Sequence, residues 1–361
     1  MVVPRNDRSV GPTMPAGPIA QGLDLADLDA PIVCRAVDVA PVPQPAAAPL
    51  LLAGLGCLAV AGRLRRKSAR PLSRAQPDRA DGAARDDPRD IPAPPPYPCA
   101  MRIATFNING VKARAGTLQD WLREDAPDLA VLQEIKSTDE AFPREVVEDA
   151  GYTLHTHGQK GFNGVALCSR VELDDVATGL PGDDDDAQAR YIEATAIGTK
   201  GAVRVCGLYL PNGNPAPGPK YDYKLAWMAR LETRIRQLLA DETPFLVTGD
   251  FNVIPQDIDA ARPERWREDA LALPATRAAY RRLENLGLTD AVRTRHPGQA
   301  GHFSFWDYQR AAWEENNGIR IDHFLLSPAI ADLMTGASIQ AEMRGRDKPS
   351  DHVPVWLDLD L

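Results

Sequence analysis

The chain has 361 residues and a net charge of −9, with 25% charged and 44% hydrophobic residues, a length for one large domain or two ordinary ones. Residues 1–100 hold 12 Lys+Arg against 10 Asp+Glu, 17 of the 32 prolines, no glutamate and one aromatic, Tyr97; residues 101–361 hold 29 Lys+Arg against 40 Asp+Glu. That acidic balance excludes a protein that holds nucleic acid by bulk charge alone, though not a local basic groove, and five cysteines at 34, 57, 99, 168 and 206 have no zinc or disulfide-framework spacing, as expected for a reducing cytoplasm.

A segment so rich in proline and poor in aromatics cannot bury enough apolar surface to offset its backbone entropy. Residues 1–100 therefore read as a disordered Pro/Ala-rich extension and 101–361 as the globular unit. Within the extension, residues 46–62 (AAAPLLLAGLGCLAVAG) are uncharged and apolar, and Arg63-Leu64-Arg65-Arg66-Lys67 follows them. The 17 residues of this run are at the short limit for a membrane span, and the run lies too deep for a signal peptide. With Pro41-Val42-Pro43-Gln44-Pro45 before it, the segment resembles the sorting tails that end bacterial exported proteins. The composition predicts that the working protein starts at or near Met101. A membrane anchor, with the basic cluster keeping the rest cytoplasmic, is the alternative.

From Met101 the elements alternate. Residues 101–106 read as a strand, 117–124 as a helix with Thr117 as its cap, and 129–132 as a second strand, giving a strand–helix–strand unit. Further β-type runs cover 152–156, 164–168, 190–197 and 203–210. A long amphipathic helix spans 221–240, a buried-type strand 245–248, a helix 275–286, and late strands 321–326 and 353–359. Many strands with interspersed helices predict an α/β fold, a four-layer sandwich of two mixed β-sheets flanked by helices. No internal repeat is visible, and no Gly-rich phosphate loop is present.

Six short polar words close or follow these apolar runs: Phe106-Asn107-Ile108-Asn109-Gly110, Leu132-Gln133-Glu134, Tyr209-Leu210-Pro211-Asn212-Gly213, Gly249-Asp250-Phe251-Asn252, Arg320-Ile321-Asp322 and Ser350-Asp351-His352. Strand ends and the loops after them are where sites are commonly built. Glu134 ends an apolar strand, where an unpaired carboxylate is costly, so it is a metal-ligand candidate. Asp250 and Asn252 lie two apart, on one face of an extended segment: the carboxylate can bind metal or take a proton from water, and the amide can donate to phosphate. His352 can hold or exchange a proton near neutral pH, and Asp322 can orient it. Asp183–Asp186 reads as solvated loop charge. Lys112, Arg114, Lys160, Arg190, Lys220, Arg310 and Lys348 are candidates for contacts to a nucleic-acid backbone.

Taken together in this order, the six words resemble the exodeoxyribonuclease III family, over essentially all of 101–361. Asn109-Gly110-Val111-Lys112-Ala113-Arg114, the segment 152–161, Pro181-Gly182 and Phe305-Trp306-Asp307-Tyr308 extend the resemblance. The resemblance implies a Mg²⁺-dependent DNA-repair nuclease, with Mn²⁺ as the other candidate ion. It would incise duplex DNA 5′ to abasic sites and remove nucleotides or blocking groups from 3′ ends, as a monomer with no obligate protein partner. Glu134 would be the principal metal ligand, within a set that also draws on Asn107, Asp250, Asn252, Asp351 and His352. Asp250 would activate water or protonate the leaving oxygen, Asn252 and Asn107 would orient the phosphate, His352 with Asp322 would stabilise phosphoryl charge, and Tyr209 would contact the phosphate. Asn109, Lys112, Arg114, Lys160, Arg190 and Asn212 would face DNA, and Phe305, Ile319 and Ile321 would form the pocket for a base-less sugar. Asn212 stands where bacterial members often have Gln, and Ile319 where some relatives have a bulkier aromatic. A phosphoesterase of the wider superfamily, acting on a phospholipid or inositol phosphate, is the alternative; Phe305-Trp306 and the Lys112/Arg114 segment oppose it.

Overall fold

The computed structural model describes residues 101–361. The extension 1–100 and its apolar run 46–62 lie outside the described residues. Among the described residues twelve strands form two six-stranded sheets. The first sheet has the order β11 (Met334–Ile339), β12 (Val355–Leu359), β1 (Met101–Asn107), β2 (Leu129–Gln133), β4 (Val165–Ser169), β3 (Thr153–His157). The second has the order β5 (Leu173–Thr178), β6 (Tyr191–Ile197), β7 (Ala202–Tyr209), β8 (Phe245–Asp250), β10 (Asp322–Leu326), β9 (Thr289–Asp290).

Both sheets repeat one pattern of strand directions. A central parallel pair, β1/β2 or β7/β8, is flanked on each side by antiparallel neighbours. A helix joins each parallel pair, as a crossover between parallel strands requires: α1 (Ala115–Glu124) between β1 and β2, and α3 (Pro219–Ala240) between β7 and β8. Shorter helices are α2 (Glu145–Glu148), α5 (Ala291–Arg295) and α6 (Pro328–Ala331); α4 (Pro274–Asn285) lies beside α3. The likeness of the two sheets is a repeat of topology that carries no repeat of sequence.

Side-chain alternation along the strands builds the layers. Ile103, Val131, Leu167, Val205, Leu246 and Phe324 share the core between the sheets. Their neighbours Ala104, Phe106, Ala130 and Leu132 face the other way, onto Leu118, Trp121 and Leu122 of α1. On the far side Cys206, Leu208 and Val247 meet Trp227, Leu231 and Ile235 of α3 and Tyr280 of α4. The sheets approach closely at Gly207, where a Cβ would stand 2.5 Å from Val131 Cγ1.

Local expectations fail where the surroundings override them. Thr117 does not cap α1: a 3₁₀ turn, Val111–Arg114, leads straight into the helix at Ala115, and the Thr117 hydroxyl bonds the Asp347 carbonyl. Strands β5, β9 and β11 have no counterpart in the sequence reading. The first is a bulged, largely exposed edge strand, LDDVAT, whose charges hide its β pattern; the second has two residues. In the acidic run, Asp183 to Asp185 are exposed, but Asp186 accepts from the Tyr223 hydroxyl and pairs with Arg230.

Candidate active site

A parallel pair puts both of its C-terminal ends at the same edge of a sheet. In the first sheet β1 ends at Asn107 and Glu134 follows β2; in the second β7 ends at Tyr209 and β8 at Asp250. Antiparallel β10 starts there, with Asp322 opposite Asp250 in register. His352 arrives three residues ahead of β12, its backbone bridged to Phe305.

The side chains converge. Asn107 Nδ2 donates to Glu134 Oε1 and to Asp250 Oδ2, at 3.0 Å each, so one buried amide joins the two sheets. His352 Nδ1 lies 2.8 Å from Asp322 Oδ2, and its Nε2 is 3.7 Å from Asp250 Oδ2. Ser304 Oγ also donates to Asp322 Oδ2 at 2.6 Å, while Asp322 Oδ1 is buried with no partner. Asp250 Oδ1 accepts the Asn252 backbone N–H; the Asn252 side chain accepts from Asn212 Nδ2 and donates to the Leu210 carbonyl. Ligand atoms of Glu134, Asp250 and His352 lie within 4.8 Å of one another, a group that could hold a metal ion.

Ionisation follows from these contacts. Burial would raise the Glu134 pKa, but hydrogen bonds from Asn107 and Lys136 and the charges of Lys136 and His352 hold it below the ordinary value. Asp250 is different: burial pushes it up to about 7, with His352 opposing and Asp322 and Glu134 adding to the rise. For His352, burial favours the neutral ring, yet Asp322 and Asp250 win and raise it to about 10. Tyr209 is held well above its usual range by burial and by the charges of Glu134 and Asp250, so its phenol stays protonated.

The remaining candidates divide. Asp351 lies outside the Glu134–Asp250–His352 group and accepts from Asn109 Nδ2 at 2.9 Å. Arg114 donates to the Tyr308 hydroxyl and to the carbonyls of Asn109 and Pro349. Arg190 stacks over the Tyr209 ring at 4.8 Å and donates to its carbonyl. Lys112 and Lys160 are exposed. Phe305 sets its ring edge-on to His352 at 4.9 Å; Ile319 and Ile321 are nearly fully buried in a small cluster against which Phe305 and Trp266 pack.

Two lysines of the site carry no motif in the sequence. Lys136 Nζ pairs with Glu134 Oε2 at 2.8 Å and reaches Asn109 Oδ1 at 2.5 Å. Lys224 is fully buried and donates to the carbonyls of Asn252 at 2.6 Å and Asn212 at 3.0 Å. Its signal was present: Lys224 sits on the buried stripe of α3, three residues after Tyr221 and three before Trp227.

Residues 104–352 match the model of the Endonuclease/Exonuclease/phosphatase family. Exodeoxyribonuclease III of Haemophilus influenzae is 37% identical over 265 residues, 72% of this chain and 99% of that protein. The structure of the 3′ phosphatase NExo from Neisseria bound to product DNA hairpin is 37% identical, with a TM-score of 0.69 over 72% of this chain and 100% of that one. An AP endonuclease from Archaeoglobus fulgidus is 32% identical, with a TM-score of 0.68 and coverage of 72% and 100%. With residues 104–352 matched by the family and 72% of the chain aligned to an exodeoxyribonuclease III across 99% of that protein, the chain belongs to the exodeoxyribonuclease III family of endonuclease/exonuclease/phosphatase proteins.

Proposed function

We propose that this protein is a DNA-repair nuclease that incises duplex DNA on the 5′ side of abasic sites and trims nucleotides or blocking groups from 3′ ends. The observation that carries the reading is the junction of the sheets, where one buried amide, Asn107, holds Glu134 and Asp250 together beside a His352–Asp322 pair. Relatives with the same fold include an AP endonuclease and a 3′ phosphatase that binds a DNA hairpin.

The donor set fits a hard divalent cation, Mg²⁺ first and Mn²⁺ second. Glu134, kept anionic, would be its chief ligand, with Asp250, Asn107 and Asp351 close by; when bound, it would supply Lewis-acid charge for a phosphate oxygen. His352 suits another task. Both ring nitrogens face carboxylates and the ring is held protonated, so it offers positive charge instead of a lone pair.

The chain's own residues cover the rest of the reaction. Asp250, with its pKa near neutrality, takes a proton from the attacking water; as the phosphorus–oxygen bond to the 3′ oxygen breaks, that oxygen takes a proton from solvent water, and Asp250 returns its own to solvent. His352, fixed by Asp322, stabilises the charge on the non-bridging oxygens. Asn212 and Asn252 amides and the neutral Tyr209 hydroxyl are donors for the phosphate. Asn109, Lys112, Arg114, Lys160 and Arg190 line the approach to the DNA backbone, and Phe305, Ile319 and Ile321 wall the sugar pocket. The protein acts on DNA as a monomer in the cytoplasm.

The test is incision of a duplex with one abasic site, in Mg²⁺ and in EDTA, with a phospholipid head group as control substrate. Glu134→Ala and Asp250→Ala should lose activity by orders of magnitude, as when metal or proton-transfer groups are removed. Purified protein that leaves abasic and 3′-ended duplexes intact in Mg²⁺ buffer would overturn the reading.

A further inference from the structure

Beyond Phe305 the site continues into a cavity of about 330 Å³, at the small end of the roughly 300–1,000 Å³ usual for ligand clefts. One face of the cavity is apolar. Phe305, whose ring touches His352, forms it with Ile319 and with Trp266, a partly buried ring from the turn Pro263–Trp266. The other lining is polar: Asn317 and Gln309, the arginines Arg265 and Arg310, and the carboxylates Asp269 and Asp307. Among the described residues neither arginine has an ion-pair partner, whereas Arg262 nearby is paired with Glu315.

A base-less sugar has no use for such a compartment. An aromatic ring, amides, and arginines balanced by carboxylates suit a neutral nucleobase rather than a phosphate: rings stack on any base, and polar side chains meet the donors and acceptors of its edge. We propose that this cavity is a base subsite, which receives the base of the nucleotide being removed from a 3′ end, with Trp266 as its stacking surface and Asn317 at the base edge. The proposal rests on the 3′-trimming reading above. It makes Trp266 a specificity-determining residue that separates base-bearing from base-free substrates.

The experiment compares three duplexes with the full chain: a 3′-terminal nucleotide, the same end carrying only a 3′-phosphate, and an internal abasic site. Trp266→Ala should lower the ratio of 3′-nucleotide release to 3′-phosphate removal by on the order of tenfold, the scale of one lost base–aromatic stack. Trp266→Phe should restore the ratio, because any ring can stack. Asn317→Ala should lower it less and unevenly among the four bases. An equal fall on all three substrates in Trp266→Ala, or an unchanged ratio, would overturn the subsite. Should Trp266→Ala fail to fold, Asn317→Ala and the base preference of Trp266→Phe decide the matter by the same ratio. Wild-type protein inert on every duplex would instead overturn the nuclease reading beneath it.

Discussion

Replacing Lys224 with methionine should separate stability from activity. The ammonium group is fully buried, and burial lowers its pKa from 10.5 to about 7, so keeping it charged costs on the order of 5 kcal/mol. Against this stand two hydrogen bonds from a charged donor, to the carbonyls of Asn252 and Asn212, at about 1.5–3 kcal/mol each. The two effects nearly cancel. Methionine fills similar volume without the burial cost, so Lys224→Met should keep its unfolding free energy to within about 2 kcal/mol of wild type. Activity should behave differently. The two carbonyls belong to the loops that carry the amides of Asn212 and Asn252, and a misplacement of about 1 Å at such a site can cost about 100-fold. Single-turnover incision of an abasic duplex should slow by roughly 10- to 100-fold, with thermal unfolding little changed. Because the folded state binds fewer protons than the unfolded chain between pH 7 and 10.5, wild-type stability should rise with pH across that window, and the variant should lack the rise. A variant as fast as wild type, or one whose activity falls only with its folded fraction, would refute the reasoning.

Asp322→Asn leaves the buried imidazolium of His352 without its main counter-charge, a loss of about 3–5 kcal/mol. Since the His352 pKa is raised to about 10, that stabilisation is complete below the unfolded value near 6.5 and is lost as pH rises through 10. Urea unfolding in EDTA at pH 6, 8 and 10 should show the wild-type advantage shrinking; a constant gap would count against the pair. His323 is held neutral, its pKa lowered to about 4 by burial and by Arg320 beside Nδ1 at 2.9 Å. The unfolded chain therefore binds more protons between pH 4 and 6.5, and stability should fall by about 3 kcal/mol on acidification across that range; His323→Gln should flatten this limb in denaturant titrations. Gly249 has φ 144°, and a Cβ there would meet the Leu208 carbonyl oxygen at 1.9 Å. Gly249→Ala should lose at least about 3 kcal/mol in thermal unfolding, because the clash is with backbone, and near-wild-type stability would refute the strained turn.

The site words could be read because their chemistry is local: each is a polar side chain placed at the edge of a run that must be buried, just after it for Asn107, Glu134 and Asp250 and just before it for His352. Glu134, Asp250 and His352 stand out that way, Asn107 only through the family resemblance, and the structure brings the four together. Lys224 does not stand out, because its role appears only when α3 packs onto the loops after β7 and β8. Pattern reading treats a lysine on an amphipathic helix as exposed, and only its place among Tyr221, Trp227 and Leu231 argued otherwise. Lys136 was missed for a related reason, since nothing in Glu134-Ile135-Lys136 shows that the chain turns back so that both side chains meet. Central strands, apolar on both faces, were legible; edge strands such as β5, with exposed aspartates, were not. The matching sheets were invisible as well, because a topology can recur while its side chains differ.

The turn at Glu134 also shows how backbone pairing positions the site. Glu134, Lys136, Asn109 and Asn252 have φ of 50°, 51°, 47° and 48°, a left-handed conformation that side chains other than asparagine and aspartate rarely adopt. Each such residue costs on the order of 1 kcal/mol and persists only where the surroundings over-determine it. Here the β1/β2 ladder continues past the strand ends as loop-to-loop bonds: Ile108 N–H to the Gln133 carbonyl, Gly110 to Glu134, and Val111 to Ile135. On the other side Ile135 and Lys136 donate to Gly164 and Asn163. Glu134 is thus pinned from two directions by backbone, with a carboxylate oxygen within 4.8 Å of ligand atoms of Asp250 and His352. The strain is offset by backbone pairing that the loops need in any case, so the same hydrogen bonds that close the loops also position the acidic pocket.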